Sequence, residues 1–366
     1  MGIDMDTGAR KRRIFHIIEA TATGTLSMAS LLANLQAAEG HEVTVVHSRR
    51  PETPADLRAH FCAPVRLTHV PMQTGRQKLA ALGAIRRLVG TARPDVLFLH
   101  SSFAGFIGRL ATLAMPRGLR VFYLPHCISF MRQDVPAAKR LLFVALEWLA
   151  AVRPATYVAC SESERAEISR RIPFSHCVLV ENAVEMKVQP RSPLSDRTRT
   201  RVTTIGQVRA QKDPVRFAEI AQRLRATGVP FDFVWIGDGD PAHKIELARA
   251  GVDVTGWLPK PSVMAQLRDS DIYLSTALWE GMPVALIEAQ LCGVPVVASR
   301  CAGNADCINH GRTGWLYDSV EEAVSAIGLL AVDPQMAAAG AAAAAEMART
   351  RFSEERYRAQ MASLVE

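Results

Sequence analysis

Short apolar runs of strand length alternate along this chain with longer amphipathic stretches, and no other feature limits its fold so strongly. "RIFHIIEA" (13–20) is followed by "LSMASLLANLQAAEG", whose apolar residues recur at helical spacing up to Gly40. "HEVTVVHS", "DVLFLHSS", "RVFYLPH", "ATYVACS" and "HCVLVENAV" read as further strands, with helix-like segments between most of them. Strands joined by helices in this way build parallel sheets covered on both faces. The rhythm breaks at "MKVQPRSPLSDRTRT" (186–200), a polar stretch with two prolines and no period, which reads as a linker. It then restarts with "RVTTIGQV", a helix from Asp213, "FDFVWIGDG", a helix near 241–250, "VDVTGW", a helix near 261–268 and "DIYLSTA". The pattern predicts an α/β chain of two Rossmann-like, doubly wound domains facing each other across a cleft. The expected bounds are 1–190 and 191–350, with 351–366 a C-terminal helix packing back on the first domain. An Ala-rich run (337–348) favours helix by propensity. Ligands of open α/β sheets bind beyond the carboxyl ends of the strands, which points to the cleft.

Composition supports two cores and excludes several classes of protein. The 366 residues are 49% hydrophobic and 22% charged, an ordinary globular balance. The net charge of +7 is uneven: residues 1–190 carry 24 Lys/Arg against 15 Asp/Glu, a net +9, and residues 191–366 carry 19 against 21, a net −2. Such asymmetry suits two domains with different tasks. The longest apolar run, "LLFVALEWLAAV" (141–152), is too short to span a bilayer and contains Glu147. The start, "MGIDMDTGARKRR", lacks the apolar stretch of a secretory signal and, with Asp6, the myristoylation pattern; it reads as a frayed segment. The seven cysteines are odd in number and include no C-x-x-C, which suits free thiols in a reducing cytosol.

One stretch, "EGMPVALIEAQLCGVPVVAS" (280–299), carries the chemistry. Glu280 and Gly281 sit where a strand turns into a helix, and Pro283 suits the first helical position. The N-terminus of that helix offers free N–H groups and a positive dipole end to a phosphate. Glu288 lies five residues beyond Pro283, roughly 7–8 Å along the axis at about 1.5 Å per residue. A carboxylate there can accept two hydroxyl hydrogen bonds, as acids do for a ribose. Two acids flanking a phosphate site match a ligand with a sugar at each end of a diphosphate. The plainer alternative is that both acids serve helix dipole and capping preferences.

The segment 274–317 resembles the E-x7-E signature of retaining glycosyltransferases of family 4, which have the GT-B fold. "HSSFAGFIGRLA" (100–111), "YLPHCISF" (123–130), "ACSESE" (159–164), "VENAVE" (180–185), "IGQVRAQKDP" (205–214), "VWIGDG" (234–239) and "VTGWLP" (254–259) follow in that family's order and spacing. The resemblance covers nearly the whole chain. It implies that a hexose moves from a UDP- or GDP-linked donor to a saccharide acceptor, a lipid-linked one, in surface polysaccharide synthesis. By the same resemblance Glu288 holds the donor ribose, Glu280 contacts the transferred sugar, and Gly281 and Met282 offer backbone N–H groups. Pro283 replaces a residue that donates an N–H in relatives. Lys212 neutralises the leaving diphosphate, the main electrostatic demand of sugar transfer. Relatives carry an arginine where this chain has Gln207; Arg209 is the candidate substitute. Gly24 and Thr25 follow the first strand, where a glycine lets the backbone approach a phosphate or acceptor, although the family's glycine pair is Thr23-Gly24 here. His126 ends its strand in the cleft beside the donor sugar. Ser161 and Glu164 form a capping box, and Asn182 marks a turn.

Competing signals are weaker. "DGD" (238–240) has the form of a metal-binding D-x-D, but "DSD" (269–271) and "DMD" (4–6) share it, so no metal or other cofactor is expected. No His/Cys cluster has zinc spacing, no phosphate-loop motif occurs, and the basic half lacks any nucleic-acid signature. "RQKLAALGAIRRLVG" (76–90) and "KRLLFVALEWLAAVR" (139–153) mix basic and apolar residues as membrane-surface segments do, which predicts a cytoplasmic protein meeting the inner face of an anionic membrane. Two rival readings are a nucleotide-sugar epimerase on the same fold, which needs no acceptor, and a non-catalytic nucleotide-sugar-binding protein.

Overall fold

The structure, a computed structural model, describes residues 11–116, 118–185 and 199–366. The first sheet contains β1 (Arg13–Ile18), β2 (Glu42–His47), β3 (Arg66–His69), β4 (Val96–His100), β5 (Arg120–Leu124), β6 (Thr156–Ala159) and β7 (His176–Leu179). The second contains β8 (Thr200–Ile205), β9 (Phe231–Ile236), β10 (Val252–Val254), β11 (Ile272–Ser275), β12 (Val296–Ser299) and β13 (Trp315–Tyr317). Their spatial orders are β3-β2-β1-β4-β5-β6-β7 and β10-β9-β8-β11-β12-β13. All strand pairs are parallel. Each chain half therefore runs outward from its first strand in one direction, returns, and runs outward in the other, as a doubly wound sheet does.

The sequence explains the layers. Val96–His100 is buried at every position, as a central strand with helices on both faces must be. Along β1, Ile14 and Ile18 join the core under helix 23–38, while Phe15 and Ile17 join the core under helices 75–92 and 102–111. This is the period-2 alternation of a strand. The second sheet repeats the arrangement with Phe231, Phe233 and Trp235 on one side and Tyr273, Val296 and Ala298 on the other. Helix Pro334–Arg351 packs on the second sheet through Ala348. Helix Glu354–Val365 then contributes Tyr357, Met361 and Val365 to the core that contains Ile14.

Several expectations shift in detail. β3, "RLTH", is half-exposed at a sheet edge and too polar to announce itself by an apolar run. β13 is three residues long and hides within a loop-like sequence. The expected linker 186–200 lies outside the described residues up to 198, and Thr200 already belongs to β8. The expected frayed start lies outside the described residues up to position 10.

Candidate active site

In both sheets the strand order reverses beside the first strand, at β1/β4 and at β8/β11. Loops leaving the carboxyl ends at such a reversal diverge to opposite faces and open a crevice. A cleft of about 390 Å³ lies between the two halves. From the first half Gly24, Thr25 and His126 line it. From the second half come Arg209, Lys212, Glu280, Gly281, Met282 and Glu288. The fold thus gathers all nine residues singled out in the sequence, which follow β1, β5, β8 and β11, into one cavity.

Lys212 and Glu280 form an ion pair, with Nζ 2.7 Å from Oε1, and their side chains are only 16% and 11% exposed. Burial alone lowers the Lys212 pKa, but the Glu280 carboxylate outweighs it and the net shift is upward, so the ammonium is held charged. Lys212 closes a short turn, Ala210–Lys212, and its stem runs beside Gly206. The φ of Gly206, +146°, favours glycine, and a Cβ there would stand 3.0 Å from Lys212 Cε and push the lysine stem aside. Gln211 Nε2 donates to the Trp279 carbonyl at 2.9 Å, which ties the Lys212 turn to the Glu280 loop. Glu280 and Lys212 thus share a wall of the cleft on two braced loops.

Glu288 is 4% exposed and accepts a hydrogen bond from Lys260 Nζ. Lys260 begins helix Lys260–Arg268 in "GWLPKP" and also lines the cleft. Arg209 is solvent-accessible at the cleft wall, and Gln207 lines the cavity as well. Helix 284–291 starts one residue later than expected: Pro283 is the N-cap, not the first helical residue, and no side chain caps this end. The extended backbone of Pro283 places it outside the helix while its ring fits before the first turn.

Gly24 lines the cleft from a helix start. It lies in the first turn of helix Thr23–Ala38, and the residue with positive φ is Thr23, at +50°. The helix begins as soon as β1 has turned, so no glycine loop intervenes. A Cβ at Gly24 would still meet only Val284 Cγ2, at 3.9 Å, which shows how close the two helix N-termini stand. The N-cap of helix 23–38, Ala22, offers no side-chain cap either. Two uncapped helix ends therefore face each other across the cleft, a setting that favours an anion.

At Gly281 the two halves approach closely. A Cβ there would lie 2.7 Å from the Cys127 amide nitrogen and 3.0 Å from Cys160 Sγ. Asn182 Nδ2 donates to the Met282 carbonyl at 2.9 Å, bridging the halves at the same loop. The Glu164 carboxylate accepts from the amides of Cys127, Ile128 and Cys160, at 2.8, 2.8 and 2.9 Å. It thereby holds the turn after β5, where His126 and Cys127 have φ of +53° and +87°. The sequence reads Glu164 and Asn182 as structural; Glu164 stands directly behind the cleft turn, and Asn182 lines the cleft itself. Lys260 was missed, because nothing in "LPKP" distinguishes it from a surface lysine.

The D-x-D candidate has other employment. Asp238 pairs with Lys244 at 2.6 Å, and Asp240 caps helix Pro241–Arg249. Among the described residues no three His, Cys, Asp or Glu side chains form a metal-ligand group. All seven cysteines are free thiols.

Residues 24–188 match the model of Glycosyltransferase Family 4, and residues 199–333 match that of Glycosyl transferases group 1. The chain belongs to glycosyltransferase family 4. It is 26% identical over 263 residues to the UDP-Gal:alpha-D-GlcNAc-diphosphoundecaprenol alpha-1,3-galactosyltransferase of Escherichia coli, covering 66% of each chain. It is 27% identical over 241 residues to a 41.2 kDa protein of the cps region of Klebsiella pneumoniae, covering 61% of this chain and 65% of that one. The match thus spans just under two thirds of the length of these curated relatives. Among solved structures, Anabaena HepE in complex with UDP and glucose superposes with a TM-score of 0.78 at 17% identity, over 97% of this chain and 99% of that one. The family-4 chain accordingly has the GT-B fold that its two parallel sheets display.

Proposed function

We propose that this protein transfers a hexose from a UDP-hexose to a hydroxyl of a lipid-linked saccharide, with retention of anomeric configuration and without a metal ion, in the synthesis of a surface polysaccharide. The observation that carries this reading is the single cleft in which Glu280, Lys212, Glu288 and His126 meet from both halves. The choice of uridine and of a lipid-linked acceptor follows the Escherichia coli relative, and the HepE complex supports UDP.

In this mechanism Lys212 and the two helix ends hold the diphosphate and take up charge as the bond between the anomeric carbon and the phosphate oxygen breaks. The acceptor oxygen bonds to the same face of that carbon, and its proton passes to the departing phosphate. Glu280 binds hydroxyls of the transferred sugar and Glu288 binds the ribose. Lys212 supplies the positive charge that a divalent cation provides elsewhere.

An apolar face supports contact with an anionic membrane. On helix Ala137–Ala150 and beyond, Leu141 is 64% exposed and Val152 67%, with Trp148 and Leu149 beside them, and Phe174 is 87% exposed. Lys139 and Arg140 flank this face, and helix Gly75–Ala92 exposes Leu79 with Arg76, Arg86 and Arg87. Helix 102–111 packs against both helices and joins them on one side of the first sheet. Among the described residues no single helix is long and apolar enough to cross a membrane.

The test is transfer from UDP-, GDP- and ADP-hexoses to a diphosphoundecaprenol-linked amino sugar, with the product linkage read by NMR. An α-product from an α-donor is expected; a β-product removes retention. Conversion of the donor without acceptor would make the protein an epimerase, and binding without turnover a receptor. Activity lost in EDTA and restored by a cation would remove metal independence. Flotation with phosphatidylglycerol vesicles is expected to be salt-sensitive and lost in Leu141→Asp/Leu149→Asp.

A further inference from the structure

His126 is the outermost of a row. Its Nε2 lies 3.0 Å from His100 Nδ1, His100 Nε2 lies 3.0 Å from His16 Nδ1, and His16 Nε2 lies 2.8 Å from Gln36 Oε1. The rings stack in the same order, with centroids 5.3 Å apart and planes within 18° and 8°. His16 and His100 have no exposed surface, and Gln36 is 4% exposed. The row crosses adjacent strands: His16 lies in β1, His100 ends β4 and His126 follows β5, while Gln36 reaches the sheet from helix 23–38.

Neutral imidazoles hydrogen-bonded end to end have a direction. Each has one N–H and one lone pair, so the state of one end dictates every ring. Gln36 presents its carbonyl oxygen, so His16 donates from Nε2. The His16 Nδ1 lone pair then accepts from His100 Nε2–H, and the His100 Nδ1 lone pair accepts from His126 Nε2–H. The nitrogen left for the cleft is His126 Nδ1, and it carries a lone pair. An amide neither gains nor loses a proton in the working pH range, so the row ends blind at Gln36. It sets a direction and conducts nothing. Burial lowers the pKa values of His16 and His126 to about 4 and that of His100 well below the ordinary value, which keeps the row neutral. The side-chain nitrogen of Gln36 is buried without a partner, so the bond to His16 is what orients the amide.

We propose that Gln36, His16 and His100 are positioning residues that fix His126 as its Nε2–H tautomer, so that Nδ1 accepts a hydrogen bond from a hydroxyl of the sugar in the cleft. The sugar contact rests on the proposed function; the tautomer does not. His126 then serves as an acceptor and not as an acid, and its chemistry is set by Gln36 of helix 23–38, two rings away.

The full chain, labelled with 15N-histidine, reports each tautomer in two-bond proton–nitrogen spectra, assigned with His126→Gln and recorded with and without UDP. The expected result is a protonated Nε2 and a bare Nδ1 on His126 in both states. A protonated Nδ1, or an average of the two forms, overturns the proposal. Gln36→Leu, which removes the terminal acceptor, is expected to mix the tautomers and lower kcat by on the order of 10-fold while UDP affinity holds. Gln36→Glu, whose ionised carboxylate accepts as the amide oxygen does, is expected to keep the His126 tautomer at neutral pH. If Gln36→Leu changes neither, the row is filling and the proposal fails. Failure of the wild-type protein to bind any UDP-hexose would refute the function, while the tautomer measured on the free protein still decides the row.

Discussion

The ion pair between Lys212 and Glu280 permits a decisive double-mutant cycle. At 2.7 Å, Coulomb's law gives about 6 kcal/mol with an effective dielectric near 20. Desolvation of two groups that are mostly buried offsets part of this, so removing either partner is expected to cost about 3 kcal/mol, chiefly as the penalty of the stranded charge. The perturbations are Lys212→Met, Glu280→Gln and both together. Urea unfolding followed by tryptophan fluorescence should show the double variant recovering about 2 kcal/mol relative to the sum of the singles. Turnover should behave differently. Each residue meets a separate part of the donor in the proposed mechanism, so each single variant should be about 10²- to 10³-fold slow, the usual loss for one preorganised charge-stabilising group, and the double variant slower still. A double variant that recovers turnover along with stability would refute the reasoning, because the pair would then be a brace and nothing more. The pH dependence has a definite sign. The folded Lys212 pKa is raised above the ordinary value of 10.5, so its contribution is complete below 10.5 and is lost as pH rises beyond it.

Three further outcomes follow from the same geometry. Gly281→Ala inserts a methyl 2.7 Å from the Cys127 amide and should wedge the halves apart, costing about 1–3 kcal/mol and weakening UDP binding in calorimetric titration; unchanged affinity would show that the halves need not approach. His16 is buried and neutral, with its pKa lowered to about 4 from 6.5, so the unfolded chain binds the extra proton first and stability falls as pH drops from 6.5 towards 4, by roughly 3 kcal/mol at most. Acid unfolding of His16→Asn should be shallower by the share of His16, His100 and His126 keeping theirs, and an identical slope would exclude His16 as a source. Lys260 is 56% exposed at its side chain, so its bond to Glu288 is worth about 1 kcal/mol or less. Lys260→Ala should therefore tighten UDP by no more than about 5-fold, whereas a loss of affinity would make Lys260 a ligand contact.

The two glutamates and Lys212 were legible in the sequence because each sits beside a signal that fixes its place: a strand, a glycine turn and a helix start. A strand-to-helix turn puts Glu280 at a carboxyl sheet edge whatever the rest of the chain does. His126 was legible only as a residue after a strand, and its partners were not. His16 and His100 lie 84 positions apart, and nothing in either apolar run shows that β1 and β4 are neighbours. Lys260 and Asn182 were hidden for the same reason, since their contacts cross from one loop to another distant in sequence. The misplaced detail, Pro283 by one residue, concerns where a helix begins. That point depends on how tightly the preceding strand turns, which local propensity does not set.

The ion pairs of the cleft also say how a donor enters on the proposed function. The acids there are already matched to cations, Glu280 to Lys212 and Glu288 to Lys260. On the proposed function, a nucleotide sugar exchanges partners with both pairs. The diphosphate takes Lys212, the sugar hydroxyls take Glu280, and the ribose takes Glu288 from a lysine held only by a weak, exposed bond. Each carboxylate then exchanges a cation for hydroxyl hydrogen bonds, which offset part of the penalty that a stranded buried charge would impose. The deeper pair is the costlier one to open, and it faces the bond that breaks. Opening it draws on binding energy from the nucleotide end, where Lys260 yields readily. A truncated donor that keeps the hexose phosphate but lacks the nucleoside should therefore lose kcat as well as affinity, since the energy that opens the Lys212 pair comes from the part removed. Loss of affinity alone, with kcat intact at saturation, would show that the pair opens without that help.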